Sequence, residues 1–389
     1  MTIAIVGAGI AGTCVAHWLR KKYPDTPITL IDASKPYAAS VGPTLLCHPF
    51  PGRSLAPHPH LGEAMKSTST VLQEWQEQFP NLIRNVSMWR PLKGSNAKRL
   101  SQSHQDWWLE DGKHRQRNTW IEHPPTIRIL SQEELNTHHS HKTPFQTLAT
   151  GPAFAIDAQE LFPLIHQSLA NKGVRVQSTD IHRIERTTNG QWCLHSPRSS
   201  IIADKVVLAL GRHITEWFPN LNVSIQGGSL MRGTPETPST NSPALSLDGL
   251  HIGTHHTGDW VFGSTRWTTP PDDASNEMST LRKRLHQTLP NAPQMEPSTS
   301  SIWSGMRSIF GPDRLPLAGE LAHHRNLFVL TALGSKGWLW GPWAAYGLAK
   351  ILKEDTPPIG FDIFNIQRAS FADGWYSPLI SEIGIPFAK

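Results

Sequence analysis

The chain has 389 residues, 38% of them hydrophobic and 17% charged. It is too long for one small core, and it lacks the low hydrophobicity and high net charge that keep a chain disordered. Two domains, or one large domain with an inserted lobe, are expected. Lys and Arg outnumber Asp and Glu by 36 to 31, a net charge of +5, which permits an acidic partner such as nucleic acid without requiring one. The three cysteines, Cys14, Cys47 and Cys193, are far apart. They form neither a disulfide framework nor a zinc pattern, so a cytoplasmic setting is expected. The apolar stretch Ile3 to Leu19 has no basic region ahead of it and is interrupted by three glycines, so no membrane partner is expected.

In chain order, Thr2 to Val6 reads as an apolar strand. Gly7-Ala8-Gly9-Ile10-Ala11-Gly12 follows and opens a helix, because Ile10, Cys14 and Trp18 recur every fourth residue. Pro27 to Asp32 reads as a second strand. Residues 40–62 read as loop, 63–80 as an amphipathic helix, and 86–150 as irregular and rich in Trp and His. Asp157 and Glu160 are spaced as a capping box ahead of a helix that ends at Asn171-Lys172-Gly173. Val174 to Ser178 reads as a strand, 181–203 as a β-meander, and Lys205 to Gly211 as a buried strand. Residues 225–305 carry short strands and one helix near Asn276 to Leu289. A last strand, Asn326 to Leu330, precedes Gly334-Ser335-Lys336-Gly337 and a helix expected from Gly341-Pro342 to Leu352.

The hexapeptide Gly7 to Gly12 fits G-x-G-x-x-G. Alone that pattern is weak, but here it follows a strand, opens a helix, and precedes Asp32 by 20 residues. Gly7 permits the tight turn, Gly9 lets the backbone approach a pyrophosphate, and Gly12 lets helix and strand pack closely. The helix N-terminus offers free N–H groups, and Asp32 can accept from ribose hydroxyls. NAD and FAD sites share this half-fold.

The rest of the chain decides between them. It resembles the D-amino-acid oxidase superfamily of FAD enzymes, close to glycine oxidase and closer still to the oxidase domain of the MnmC-type tRNA wobble-uridine modification enzymes. Four blocks carry the resemblance: Gly7 to Asp32; Ala39-Ser40-Val41-Gly42 leading to Cys47-His48-Pro49-Phe50; Asp157 to Gly211; and Arg307 through Asp313-Arg314-Leu315-Pro316 to Gly334-Ser335-Lys336-Gly337. The resemblance implies an α/β fold with a discontinuous Rossmann-like FAD-binding domain (residues 1–85, 150–222 and 306–389). A mixed or antiparallel β-rich substrate domain (86–149 and 223–305) is inserted in it. It further implies that Gly7, Gly9, Ile10, Ala11 and Gly12 hold the pyrophosphate, and that Asp32 and Ala33 hold the adenosine ribose. Ser40 and Gly211 would contact the cofactor, the backbone near Ile181 would meet the adenine, and Gly334, Ser335, Gly337 and Trp338 would meet the isoalloxazine. Arg307 is implied to clamp a substrate carboxylate, for which a planar guanidinium is the natural partner; the plainer reading is a structural arginine paired with Asp313 or Glu320. The sequence departs from the family pattern twice. Arg307 to Asp313 is one residue longer than expected, and Lys336 stands where relatives carry arginine, so a second fork becomes a point charge.

The twenty histidines are densest at His58-Pro59-His60 and His138-His139-Ser140-His141. No adjacent Cys or acid completes a ligand set, so no metal is expected. Cys47 and His48 fall on the loop expected near the flavin. Lys93, Lys98, Arg99, Lys113, Arg115 and Arg117 alternate with Trp107, Trp108 and Trp120, a pattern that suits single-stranded RNA. Asp106, Glu110 and Asp111 make a solvated lobe the plainer reading. The expected activity is FAD-dependent oxidation of the C–N bond of an N–CH2–COO− group. The substrate is either the carboxymethylaminomethyl group of tRNA wobble uridine or a small amine or amino acid such as glycine or sarcosine. A flavoprotein that binds tRNA or a protein partner without turnover is the alternative of another class.

Overall fold

The computed structural model describes residues 1–50, 58–92, 126–136, 147–240, 242–247, 249–263, 265–311, 313–369 and 375–381. The N-terminal strand–loop–helix–strand unit forms as expected: β1 (Ile3–Val6), α1 (Ile10–Lys22) and β2 (Ile28–Asp32). Next come β3 (Leu45–Cys47), inside the segment expected to be loop, and α2 (Leu61–Gln78). Where 86–150 was expected to be irregular, the described part is ordered as β4 (Ile83–Pro91), β5 (Thr126–Ile129), α3 (Gln132–Asn136) and β6 (Thr147–Ile156). The basic, Trp-rich stretch and the His138–His141 group lie outside the described residues. Then follow α4 (Ala158–Asn171), β7 (Val174–Ser178), the meander β8 (Arg183–Arg186), β9 (Trp192–His195) and β10 (Ser200–Ala203), and β11 (Lys205–Leu208). The remaining elements are α5 (Ile214–Trp217), β12 (Val223–Gly233), β13 (Ala244–Leu247), β14 (Leu250–Thr254), β15 (Trp260–Gly263), α6 (Ala274–Thr288), β16 (Ser301–Phe310), β17 (Leu317–Glu320), β18 (Leu327–Thr331), α7 (Gly337–Leu352) and β19 (Ile380–Ser381).

The chain divides into two compact units, Met1–Ser40 with Phe162–Gln226 and Gly305–Lys389, and Val41–Leu161 with Gly227–Ser304. Residues 41–85 and 150–161, assigned by the sequence reading to the first unit, lie in the second. Strand pairing is the reason: Ile156 faces both Leu45 of β3 and Ile83 of β4, which ties these strands into one sheet.

The first unit is built on a six-stranded sheet of order β17-β18-β11-β1-β2-β7. All neighbours are parallel except the edge strand β17. β1 is buried along its whole length, as a central parallel strand covered on both faces must be. Side chains alternate across it. Ala4 and Val6 join a core with Trp192, Trp217 and Phe218, while Ile5 lies against Gly12 of α1. α1 packs on α7, where the Trp18 indole N–H donates to the Pro342 carbonyl at 2.9 Å. α7 starts at Gly337, four residues earlier than expected, so Pro342 sits inside the helix and not in its first turn.

The second unit holds a mixed sheet with the order β12-β15-β14-β13-β4-β6-β3, with β5 added on β6. Leu281 and Leu285 of α6 close its main core over Leu245, Ile252 and Phe262. A buried polar network ties its elements together. The fully buried Asp157 carboxylate accepts from the Arg84 guanidinium (2.8 and 3.2 Å), the Thr44 hydroxyl (2.6 Å) and the His256 amide (2.9 Å). Asp157 does occupy the position preceding α4, but its side chain serves this network and not the expected capping box.

Arg84→Ala leaves that carboxylate buried without its ion partner, which typically costs about 3–5 kcal/mol. Urea denaturation should show that loss; a change under 1 kcal/mol would mean that the remaining donors suffice.

Candidate functional site

Five parallel strands necessarily end on the same edge of the first unit's sheet. The residues following them are Gly7 after β1, Asp32-Ala33 at the end of β2, Thr179 to Ile181 after β7, Ala209 to Gly211 after β11, and Ala332 to Gly334 after β18. Positions spread over more than 300 residues of chain are thereby brought to one edge. The chain moves outward from β1 through β2 to β7, then returns to the other side of β1 as β11. That reversal opens a crevice beyond the carboxyl ends, where doubly wound sheets bind ligands.

The glycine positions are dictated by contact. A Cβ on Gly7 would lie 2.3 Å from the Ala209 carbonyl oxygen, and its φ of +102° excludes ordinary side chains. A Cβ on Gly12 would lie 1.9 Å from the Gly7 carbonyl oxygen. Gly9 differs, since its Cβ would meet only the Ser40 hydroxyl, at 3.1 Å. Gly9 also occupies the cap position of α1, with no side-chain cap and no acid in the first turn. Ser40 Oγ accepts from the Ile10 amide at 3.1 Å. The first turn of α1 is thus an anion-seeking end with a backbone that a ligand can approach closely.

Asp32, half-buried, takes the Ser34 hydroxyl at 3.3 Å. Its backbone carbonyl accepts from the Thr179 amide, which draws the segment leading to Ile181 alongside it. The Ile181 side chain itself is turned into the core, leaving only its backbone for a ligand. The sequence reading missed Thr13 and His166. The Thr13 hydroxyl donates to the Ala8 carbonyl (2.9 Å) and lies 3.0 Å from His166 Nε2. Burial pulls the His166 pKa below its ordinary value, against the opposing pull of Asp32 and the Ala8 carbonyl. Only the position of His166 on the inner face of α4 could have signalled this.

At the far end of the edge, Leu333 bridges to Ile309 of β16, and Gly334 to Lys336 form a single 3-10 turn into α7. A Cβ on Gly337 or Gly341 would touch Ile10, at 3.4 Å in each case, so the N-terminal ends of α1 and α7 adjoin. Ser335 is exposed. Trp338, expected to meet the isoalloxazine, is buried and stacks edge-on to Phe162 at 5.7 Å. Arg307 lies two residues from Ile309 on the same half-buried face of β16 and donates to Gln226 Oε1 at 2.9 Å. The acids of the plainer reading are engaged elsewhere. Asp313 pairs with Arg368 at 2.5 Å, and Glu320 accepts from the Asn326 amide. Lys336 is half-buried; desolvation, with Arg314 second, lowers its pKa below the usual lysine range.

A family model for FAD dependent oxidoreductase matches residues 2–351. The chain belongs to that FAD-dependent oxidoreductase family. It is 25% identical over 383 residues to the tRNA 5-methylaminomethyl-2-thiouridine biosynthesis bifunctional protein MnmC of Idiomarina loihiensis, covering 92% of this chain and 57% of that protein. The chain thus spans about half the length of the curated relatives it matches. Among solved structures, glycine oxidase from Geobacillus kaustophilus superposes with a TM-score of 0.77 at 16% identity, covering 95% of this chain and 99% of that one. Iminodiacetate oxidase from a Chelativorans species gives 0.75 at 14%, covering 93% and 98%. These likenesses show the fold, a mixed α/β architecture. The oxidoreductase's cofactor is FAD, and the carboxyl edge fits it: the Gly9 backbone is open, the first turn of α1 carries no acid, and Asp32 ends β2. Among the described residues no helix is long and apolar enough to cross a membrane.

Two substitutions separate binding from folding. Gly9→Ala needs only the Ser40 side chain to shift, so the apoprotein should melt near the wild-type temperature while retaining little FAD. Gly12→Ala drives a Cβ into backbone and should lower Tm by several degrees. If Gly9→Ala purifies with a full complement of flavin, the pyrophosphate is not held at this loop.

Proposed function

We propose that the chain oxidises the C–N bond of an N–CH2–COO− group, with Arg307 as the carboxylate-binding residue. The supporting observation is the placement of Arg307 beside the Gly334–Lys336 turn, through the Ile309–Leu333 bridge, while Asp313 is committed to Arg368. Arg307 donates to the neutral Gln226, and a planar guanidinium is the natural partner of a carboxylate. Lys336, next to the cationic Arg314, supplies a second positive charge that a carboxylate would relieve. The Gly7–Gly12 loop and Asp32 would hold FAD, which would supply the hydride acceptor for the carbon next to nitrogen. The protein's own part is to fix the carboxylate and keep the reacting carbon in one orientation.

Within that class we favour the carboxymethylaminomethyl group of tRNA wobble uridine, because the relative matched over 92% of this chain is named for tRNA 5-methylaminomethyl-2-thiouridine biosynthesis. A free small amino acid or secondary amine is the second reading, since Arg307 meets the same carboxylate in either. Mass spectrometry of tRNA nucleosides before and after incubation with the protein separates them. Loss of the carboxymethyl group from wobble uridine supports the first. Anaerobic flavin bleaching by glycine or sarcosine, with tRNA unchanged, supports the second.

Arg307→Ala should lower kcat/KM by roughly 30- to 5000-fold, the equivalent of about 2–5 kcal/mol for an unpaired carboxylate, with FAD content unchanged. Arg307→Lys should recover part of that, since an ammonium lacks the fork. Wild-type bleaching rates in Arg307→Ala would place the clamp elsewhere.

Lys336 sets the pH dependence. Its charged form attracts the carboxylate and is present below its depressed pKa. Substrate affinity should therefore fall as pH rises through a value below the usual lysine range. In Lys336→Arg the alkaline fall should vanish from a KM-against-pH profile; an unchanged profile would exonerate Lys336.

A further inference from the structure

A second site lies in the other unit, around the turn joining β14 to β15. His255 and His256 lie there with ring centroids 4.2 Å apart. Both Nε2 atoms face one carboxylate, that of Glu160 in the first turn of α4. His255 Nε2 is 3.1 Å from Oε1, and His256 Nε2 is 3.6 Å from Oε2.

The other ring nitrogens are held from behind. His256 Nδ1 is 3.0 Å from Asp157 Oδ2, a carboxylate anchored by Arg84 and Thr44. His255 Nδ1 is 2.9 Å from the Thr257 hydroxyl. That hydroxyl gives its one hydrogen to Asp259 Oδ2 at 2.9 Å, and the Thr257 amide donates to the same Nδ1 at 3.3 Å. Two imidazole nitrogens and the oxygens of one carboxylate thus face one another, the donor types of a first-row metal site.

We propose that Glu160, His255 and His256 bind a divalent transition-metal ion of the zinc class, with Asp157 and Thr257 as the outer partners that orient the two imidazoles. Ligating histidines characteristically donate their second ring N–H to a carboxylate or similar acceptor. Two imidazoles and one carboxylate leave coordination positions open, and the Glu160 side chain is 44% exposed, so water can fill them. Arg232, 3.9 Å from Glu160, is the neighbouring cation, and its charge is engaged by Asp259 at 2.7 Å. The ion would tie the start of α4 to the β14–β15 turn. The sequence conceals the site because Glu160 and His255 are 95 residues apart.

The test uses holoprotein stripped with a chelator and titrated with Zn2+ against a chromophoric competitor. One ion per chain should bind in a manner that Glu160→Gln and His256→Ala each weaken at least about tenfold. His58→Ala/His60→Ala should leave it unchanged. Zn2+ should raise the Tm of the wild type and not that of Glu160→Gln, because a ligand stabilises only the state that binds it. Glu160 is exposed enough for its variant to fold. Absence of stoichiometric binding, or equal binding by the wild type and both variants, would overturn the proposal and leave Nε2–H bonds to Glu160 in the metal's place.

Discussion

The structure of the first unit depends on one close approach. The Gly12 Cα rests against the Gly7 carbonyl, and Gly7 in turn against Ala209, with no room for a Cβ at either glycine. This contact lets α1 begin directly over the reversal in strand order between β1 and β11. Once α1 is placed there, Ile10 can dock against Gly337 and Gly341 of α7. Two helix N-termini then share one edge of the sheet, and their partial positive charges reinforce each other. An anionic cofactor is the natural complement of that arrangement. The Asp32 carboxylate stands off to the side, at the end of β2, where hydroxyls and not phosphates would be met.

The parts of this fold legible in the sequence were those where local pattern and tertiary role agree. β1, α1 and β2 could be read because a buried parallel strand, a glycine turn and a one-faced helix each have their own signature, and all three fall within about thirty residues. The meander of β8 to β10 was legible for a similar reason, since its turn at Asn189-Gly190 is a strong local signal. By contrast, β4 reads as polar through Arg84, Asn85, Ser87 and Arg90, yet pairs with β6 along its whole length. Its identity as a strand comes from its partner, 56 to 73 residues away along the chain, and no local propensity announces it. The misplaced unit boundary has the same origin.

The candidate site divides along a similar line. The places of Gly7, Gly12, Asp32 and the Gly334 turn on the sheet edge were readable because backbone geometry imposes glycine at Gly7 and Gly12 and strand ends impose position. The surroundings of Trp338 were less legible, because a helix surface decides side-chain direction. Starting α7 at Gly337 turns the indole towards Phe162, whereas a helix starting at Pro342 would have left it on a loop. His166 and Glu160 were invisible as site residues for another reason. Each belongs to α4, whose apolar periodicity accounts for its sequence, and their polar partners come from distant segments. Asp157 shows how a correct position can carry the wrong role. It does precede the helix as a capping residue would, but three donors from other strands and loops outcompete the local amides for its carboxylate.

The asymmetry between Arg307 and Lys336 bears on which substrate the proposed reaction would accept. A fork binds a carboxylate in one plane and fixes its orientation, whereas an ammonium attracts charge without dictating geometry. Two forks would fix the substrate's acid end rigidly and suit a small molecule recognised almost entirely by that end. One fork and one point charge hold the carboxylate but constrain less of what lies beyond the nitrogen. Such a site loses selectivity among small amino acids. It gains tolerance for a bulky N-substituent, provided that binding energy from the remainder of a large substrate supplies the missing orientation. A nucleoside within a tRNA offers that remote binding energy and free glycine does not, so the lysine at position 336 weighs in the same direction as the sequence likeness to the tRNA-modifying relative.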